Sequence, residues 1–156
     1  MKFLSSSPKD TARVATILAD EIFLSRIDTK GAFVIGFSGE LGVGKTIFIK
    51  SFARRAGILK KITSPTFLLM RRYNLNGKQY KNLFHIDAYR TADPKEFKKI
   101  GLHEILDDKK NIVLIEWVGK IKKILPKDIL IIEIVHGDKS AERIISVGRR
   151  NSKRKK

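Results

Sequence analysis

Apolar and polar positions divide this chain into alternating segments of helical and strand period. From Pro8 to Leu24, Val14, Ala15, Ile17, Leu18 and Ile22 recur at helical spacing, which predicts an amphipathic helix. Pro8 suits its first turn. Lys2–Ser5, just before it, fits a short edge strand. Residues 32–38 are a near-continuous apolar run, as in a strand buried on both faces. Residues 47–55 return to helical character, and Gly57 suits the position after the helix end. Pro65 rules out a helix interior around residues 60–67. Residues 67–75 and 78–87 are expected to form two strands joined by a two-residue Asn76-Gly77 turn. Asp93-Pro94 opens a short helix that buries Phe97 and Ile100; Gly101 interrupts it and residues 102–106 continue as a second. Asn111–Glu116 is an apolar run closed by a carboxylate. A short helix over 120–125 stops at Pro126. Residues 129–136 and 143–147 make a closing hairpin.

Strands alternating with helices predict an α/β fold. The antiparallel pairs make the central sheet mixed, and helices on both faces give three layers. No internal repeat is visible. The 156 residues suit one domain, placed at 1–148, with a basic, disordered tail at 149–156.

The junction of the second strand and second helix carries Gly39-Glu40-Leu41-Gly42-Val43-Gly44-Lys45-Thr46. This fits the P-loop pattern, in the strand–loop–helix setting that pattern needs. Glycines let the backbone curl so that successive N–H groups face phosphate oxygens, and the helix N-terminus adds partial positive charge. Lys45 reaches the outer phosphates, and the Thr46 hydroxyl is a ligand for Mg²⁺.

Such a site needs a carboxylate near the metal, at the end of a neighbouring apolar strand. Glu116, closing Ile112-Val113-Leu114-Ile115, fits this best. Asp87, closing Leu83-Phe84-His85-Ile86, is the second candidate. His85 shares a strand face with Asp87 and is taken as a hydrogen-bonded structural residue. Arg90 is placed to touch phosphate or to anchor the loop after Asp87. Trp117 either lines the site or packs. The hydroxyls of Thr63, Ser64 and Thr66 occupy the place of a switch segment; a plain turn entering a strand explains them equally well.

The chain has 33 Lys and Arg against 16 Asp and Glu, a formal net charge of +17. This invites a nucleic-acid partner, although Lys and Ile are abundant throughout and six of the 33 cations fall in the tail. The absence of cysteine excludes disulfides, thiolate catalysis and Cys-ligated zinc. The apolar runs are too short to cross a bilayer, and the first residues lack the apolar run of a signal peptide. A cytoplasmic protein without membrane contact is expected.

The ordered set Gly39 to Thr46, Thr63-Ser64-Pro65-Thr66-Phe67, His85-Ile86-Asp87-Ala88-Tyr89-Arg90, Ala92-Asp93-Pro94 and Ile115-Glu116-Trp117 resembles the TsaE family, the YjeE-type bacterial ATPases. The resemblance spans nearly the whole chain to about Val147. It implies an ATPase required for threonylcarbamoylation of the adenosine beside the tRNA anticodon, acting on a TsaB–TsaD heterodimer through ATP binding and hydrolysis. ATP and Mg²⁺ are the implied cofactors. Gly39, Glu40, Leu41, Gly42, Val43, Gly44, Lys45 and Thr46 hold the nucleotide by this resemblance, and Thr11 touches it. Thr46 and Glu116 hold the metal, while Lys45, Asp87 and Glu116 serve catalysis. The residues around Ser64 become switch-like. Val118 stands where the family usually has proline, Ala88 where it has a larger apolar residue, and the tail lies outside the pattern. Two other readings stand beside this one: a small-molecule kinase on the same scaffold, and a basic tRNA-binding adaptor whose nucleotide site is only a switch.

Overall fold

A computed structural model describes residues 1–25, 27–77 and 79–149. In chain order the elements are β1 (Lys2–Ser5), α1 (Pro8–Leu24), β2 (Phe33–Ser38), α2 (Lys45–Arg55), β3 (Met70–Asn74), β4 (Asn82–Asp87), α3 (Pro94–Lys99), α4 (Leu102–Asp107), β5 (Asn111–Glu116), a 3₁₀ segment (Val118–Ile124), β6 (Leu130–His136) and β7 (Arg143–Arg149). The strands form one seven-stranded sheet in the order β1-β7-β6-β2-β5-β4-β3. Its centre, β6-β2-β5-β4, is parallel. Antiparallel pairs close both edges, β3 on one side and β7 with β1 on the other. The mixed α/β sheet is therefore as expected.

Alternation along the central strands builds two cores. Phe33, Ile35 and Phe37 of β2, with Ile112 and Leu114 of β5, pack under α1 and α2. Val34, Val113 and Ile115 point the other way, under α3, α4 and the 3₁₀ segment. Strands buried on both faces must be apolar at every position, which explains their unbroken hydrophobic runs.

Helix α1 starts where Pro8 sets it. The Ser7 side chain accepts from the Asp10 backbone N–H at 3.2 Å and donates to the Asp10 carboxylate at 2.9 Å. A cap of this kind is worth about 1 kcal/mol. Its buried stripe is Thr11, Ala15, Ala19 and Ile22. The small alanines let α1 lie close on α2. Ile17, expected inside, is half exposed.

The strand bounds differ most around β3. The expected strand over 67–75 begins only at Met70, and the Asn76-Gly77 two-residue turn is absent. Asn74 pairs with Asn82, so residues 75–81 form the connection. The cause is burial: Leu75 and Tyr80 both enter the core. Tyr80 packs edge-on against Phe23 of α1. A tight turn would have left both side chains in solvent.

At the C-terminus, Arg149 is not tail. It ends β7 and donates two hydrogen bonds to the Asp128 carboxylate, at 2.8 and 3.1 Å. The rest of the expected tail, residues 150–156, lies outside the described residues. Among the described residues no helix is long and apolar enough to cross a membrane.

Candidate functional site

The parallel register of β2, β5 and β4 brings three strand ends to one line. Phe37 pairs with Glu116, and Glu116 with Asp87. Ligand sites of open α/β sheets form at this carboxyl end. Here β2 runs into the glycine-rich loop and then α2, while β4 and β5 end in their carboxylates.

Gly39, Gly42 and Gly44 all have positive φ, which curls the loop. Gly39 is the most constrained. At φ +136° a side chain would be strained, and a Cβ would also lie 2.2 Å from the Ile134 carbonyl oxygen. Lys45 and Thr46 open α2. Lys45 is buried, and its Nζ donates to the carbonyls of Gly39 and Glu40, each at 2.7 Å. Burial pushes its ammonium below the ordinary lysine value; the Glu116 and Asp87 carboxylates pull partly the other way.

A cleft of about 230 Å³ opens over this loop. Its walls include Lys45, Thr46, Ser64, Thr66, Asp87 and Glu116. Asp87 is buried and tightly held: Oδ2 accepts from the Ser64 hydroxyl at 2.7 Å and the Thr66 hydroxyl at 2.6 Å, while Oδ1 accepts from the Tyr89 N–H at 2.9 Å. The segment before β3 is thus tied to the carboxylate at the end of β4. Thr63 does not line the cleft.

Glu116 is also buried, and its Oε1 lies 2.9 Å from His85 Nε2. His85 is fully buried, and its Nδ1 has no partner among the described residues. A proton on Nε2 donates to the carboxylate and leaves Nδ1 as a bare lone pair, less costly than an unpaired N–H. His85 is therefore a structural residue, as expected, and it holds Glu116.

Trp117 lines the cleft at φ +60°, a left-handed conformation uncommon for a bulky residue. Its ring stacks at a tilt on Tyr89, with centroids 5.1 Å apart. Lys120 donates to the Tyr89 carbonyl. Val118 follows as the first residue of the 3₁₀ segment, a position where proline is favoured but not required. Its side chain fills the space above Gly36, where a Cβ would come within 2.5 Å of it. Arg90 does not line the cleft; its guanidinium sits 4.0 Å above the Phe67 ring. Thr11 is not a wall either. Its buried hydroxyl shares a 2.8 Å hydrogen bond with Ser5.

Among the contacts that sequence reasoning missed are, first, that of His85 with Glu116 and, second, that of Tyr89 with Trp117. The first had a signal: His85 and Asp87 share a strand face, and an in-register parallel neighbour puts Glu116 on that face too.

The donor set suits a small hard cation beside phosphate. The cleft offers oxygen from Thr46, Glu116 and Asp87 and no sulfur. Among the described residues no group of three or more His, Asp or Glu forms an all-protein cage. Mg²⁺ takes one or two carboxylates, waters and substrate phosphates rather than such a cage, so these residues fit it.

Residues 5–145 match the family model described as threonylcarbamoyl adenosine biosynthesis protein TsaE. The tRNA threonylcarbamoyladenosine biosynthesis protein TsaE of Treponema pallidum is 35% identical over 127 residues, covering 81% of this chain and 85% of that protein. The protein of the same description from Aquifex aeolicus is 34% identical over 142 residues, covering 88% and 90%. Among solved structures, the crystal structure of Bacillus subtilis YdiB superposes with a TM-score of 0.74 at 28% identity, covering 97% of this chain and 86% of that one.

Proposed function

Because this chain belongs to the TsaE family of tRNA threonylcarbamoyladenosine biosynthesis, we propose that it is a Mg²⁺-dependent ATPase that acts on a TsaB–TsaD complex. One observation carries this reading. The register of β4 and β5 sets Asp87 and Glu116 side by side at the P-loop, and the Ser64 and Thr66 hydroxyls are fastened to Asp87.

In this reading the loop amides and the N-terminus of α2 bind the phosphates of ATP. Lys45 leaves its two loop carbonyls and turns to the outer phosphates, where its charge meets the charge that develops as the γ-phosphoryl bond breaks. Thr46 and Glu116 would hold Mg²⁺, which supplies further positive charge to the phosphate oxygens. His85 keeps the Glu116 carboxylate aimed. Asp87 has a lone pair of Oδ1 left for water, and it orients the water that attacks. Ser64 and Thr66 share that carboxylate, so a change at the γ-phosphate reaches residues 63–66 directly. Phe67 and Leu68, exposed immediately beyond, present that change to a protein partner.

The test is ATP hydrolysis with and without the TsaB–TsaD pair, in wild type and Glu116→Ala. Partner-dependent turnover that Glu116→Ala abolishes is expected. Turnover that ignores the partner pair would overturn the proposed action on it.

A further inference from the structure

Away from the phosphate cleft, the C-terminal half of α2, the loop after it and edge strand β3 enclose two adjoining hollows of about 390 and 630 Å³. Both are lined by Ile58, Leu59 and Lys60. Lys50, Arg54 and Lys61 also line the first, and Arg72 lies in the second. No residue of this groove lines the phosphate cleft.

Its charge is uncompensated. All five cations are exposed. None has a carboxylate partner among the described residues, whereas the adjacent Arg55 is paired with Asp20 at 2.6 Å. Arg72 is oriented without losing its charge: it donates to the neutral Asn82 side-chain oxygen at 2.8 and 3.1 Å and lies over the Phe84 ring. Leu59, 88% exposed, stands among them as a large apolar side chain that a ribose or base could rest on.

We propose that this groove binds the phosphate backbone of RNA. A concave track of cations with no acidic wall suits a polyanion. A protein partner is the poorer match, because lysine is depleted at the cores of protein interfaces and aromatic residues are enriched; the groove has the opposite composition apart from Tyr73. The proposal does not depend on ATP hydrolysis.

The test measures binding of full-length protein to fluorescently labelled, unmodified tRNA by polarisation. Five phosphate contacts predict that affinity falls roughly 100- to 500-fold between 50 and 200 mM salt. Lys50→Glu/Lys60→Glu/Lys61→Glu should weaken binding at 50 mM salt by about tenfold or more, with its melting midpoint unchanged. Lys9→Glu/Lys30→Glu/Lys109→Glu, which makes the same charge change at exposed positions elsewhere, should bind nearly as wild type does. Deleting residues 150–156 should leave the effect of the groove variant intact. The proposal is overturned if wild type fails to bind at 50 mM salt or if both triple variants lose equally. It is equally overturned if the deletion alone abolishes binding. A groove variant that binds tRNA normally but loses the TsaB–TsaD pair would make the groove a protein interface instead.

Discussion

Lys45 Nζ lies 4.2 Å from the centre of the Trp117 ring while it donates to the carbonyls of Gly39 and Glu40. The cation is thereby parked between the loop and the only tryptophan of the chain. A cation over an indole face is worth about 0.5–2 kcal/mol, according to its desolvation. Turning Lys45 toward phosphate takes it off that ring. Addition of ATP and Mg²⁺ should therefore change Trp117 emission, and Lys45→Ala should change the emission of the nucleotide-free protein and abolish the response. An unaltered spectrum on titration would contradict nucleotide binding in this cleft.

Lys45 also carries a stability cost. Burial lowers its pKa in the folded protein, so the unfolded chain holds the proton more tightly. Below the folded pKa both states are protonated and the cost is complete. As pH rises from that value toward 10.5 the folded protein loses its proton first, and stability recovers. Lys45→Met should accordingly melt above wild type at neutral pH while losing nucleotide binding. Its advantage should shrink in alkali, which melting curves across pH would show.

Removing His85 leaves the Glu116 carboxylate buried without its donor. His85→Leu should cost about 1–3 kcal/mol, read from urea unfolding. It should also raise the Mg²⁺ concentration for half-maximal ATP hydrolysis, since Glu116 is no longer aimed. A variant as stable as wild type would mean that the 2.9 Å contact carries no weight.

Ser64→Ala and Thr66→Val each delete one hydroxyl on Asp87 Oδ2. Each should cost about 1 kcal/mol, and their effects should be non-additive, because the two hydroxyls share one acceptor oxygen and their own oxygens lie 2.8 Å apart. Asp87→Asn should keep the fold and lose most hydrolysis. A double-mutant cycle in unfolding tests the coupling of Ser64 and Thr66, while circular dichroism and phosphate release test the fold and the hydrolysis of Asp87→Asn.

Gly39→Ala should be the most damaging single methyl in the loop. It strains φ and meets the Ile134 carbonyl at 2.2 Å. A loss of several kcal/mol is expected, on the order of other strained or overpacked sites. Gly42→Ala, with positive φ but open space around its Cβ, should cost only about 1 kcal/mol. Thermal melts of the pair separate strain from collision.

The sequence disclosed most of the frame because the central strands are buried on both faces, so residues 112–115 and 33–37 had to carry no polar side chain. It disclosed the loop because Gly39 and Lys45 leave little alternative there. It misled at Asn76-Gly77, where tertiary burial of Leu75 and Tyr80 overrode local turn chemistry. It placed Arg149 in the tail, although Asp128, 21 positions earlier, holds that residue in the sheet. The bond between Ser64 and Asp87 was hidden for the same reason: no local period records a contact across 23 residues.

The in-register ending of β2, β5 and β4 also sets an order in time. The cleft takes its parts from residues 41–46, 64–66, 87–89 and 116–117, and Glu116 sits on β5, between β2 and β4. Parallel pairing over such separations is slow to form. During synthesis the loop at residue 39 emerges long before Glu116, so a nascent chain has the phosphate cradle without either carboxylate wall. In the proposed reading, nucleotide affinity would mature only when the middle strand arrives, and ATP, by binding the finished sheet alone, would favour completed molecules over partly folded ones.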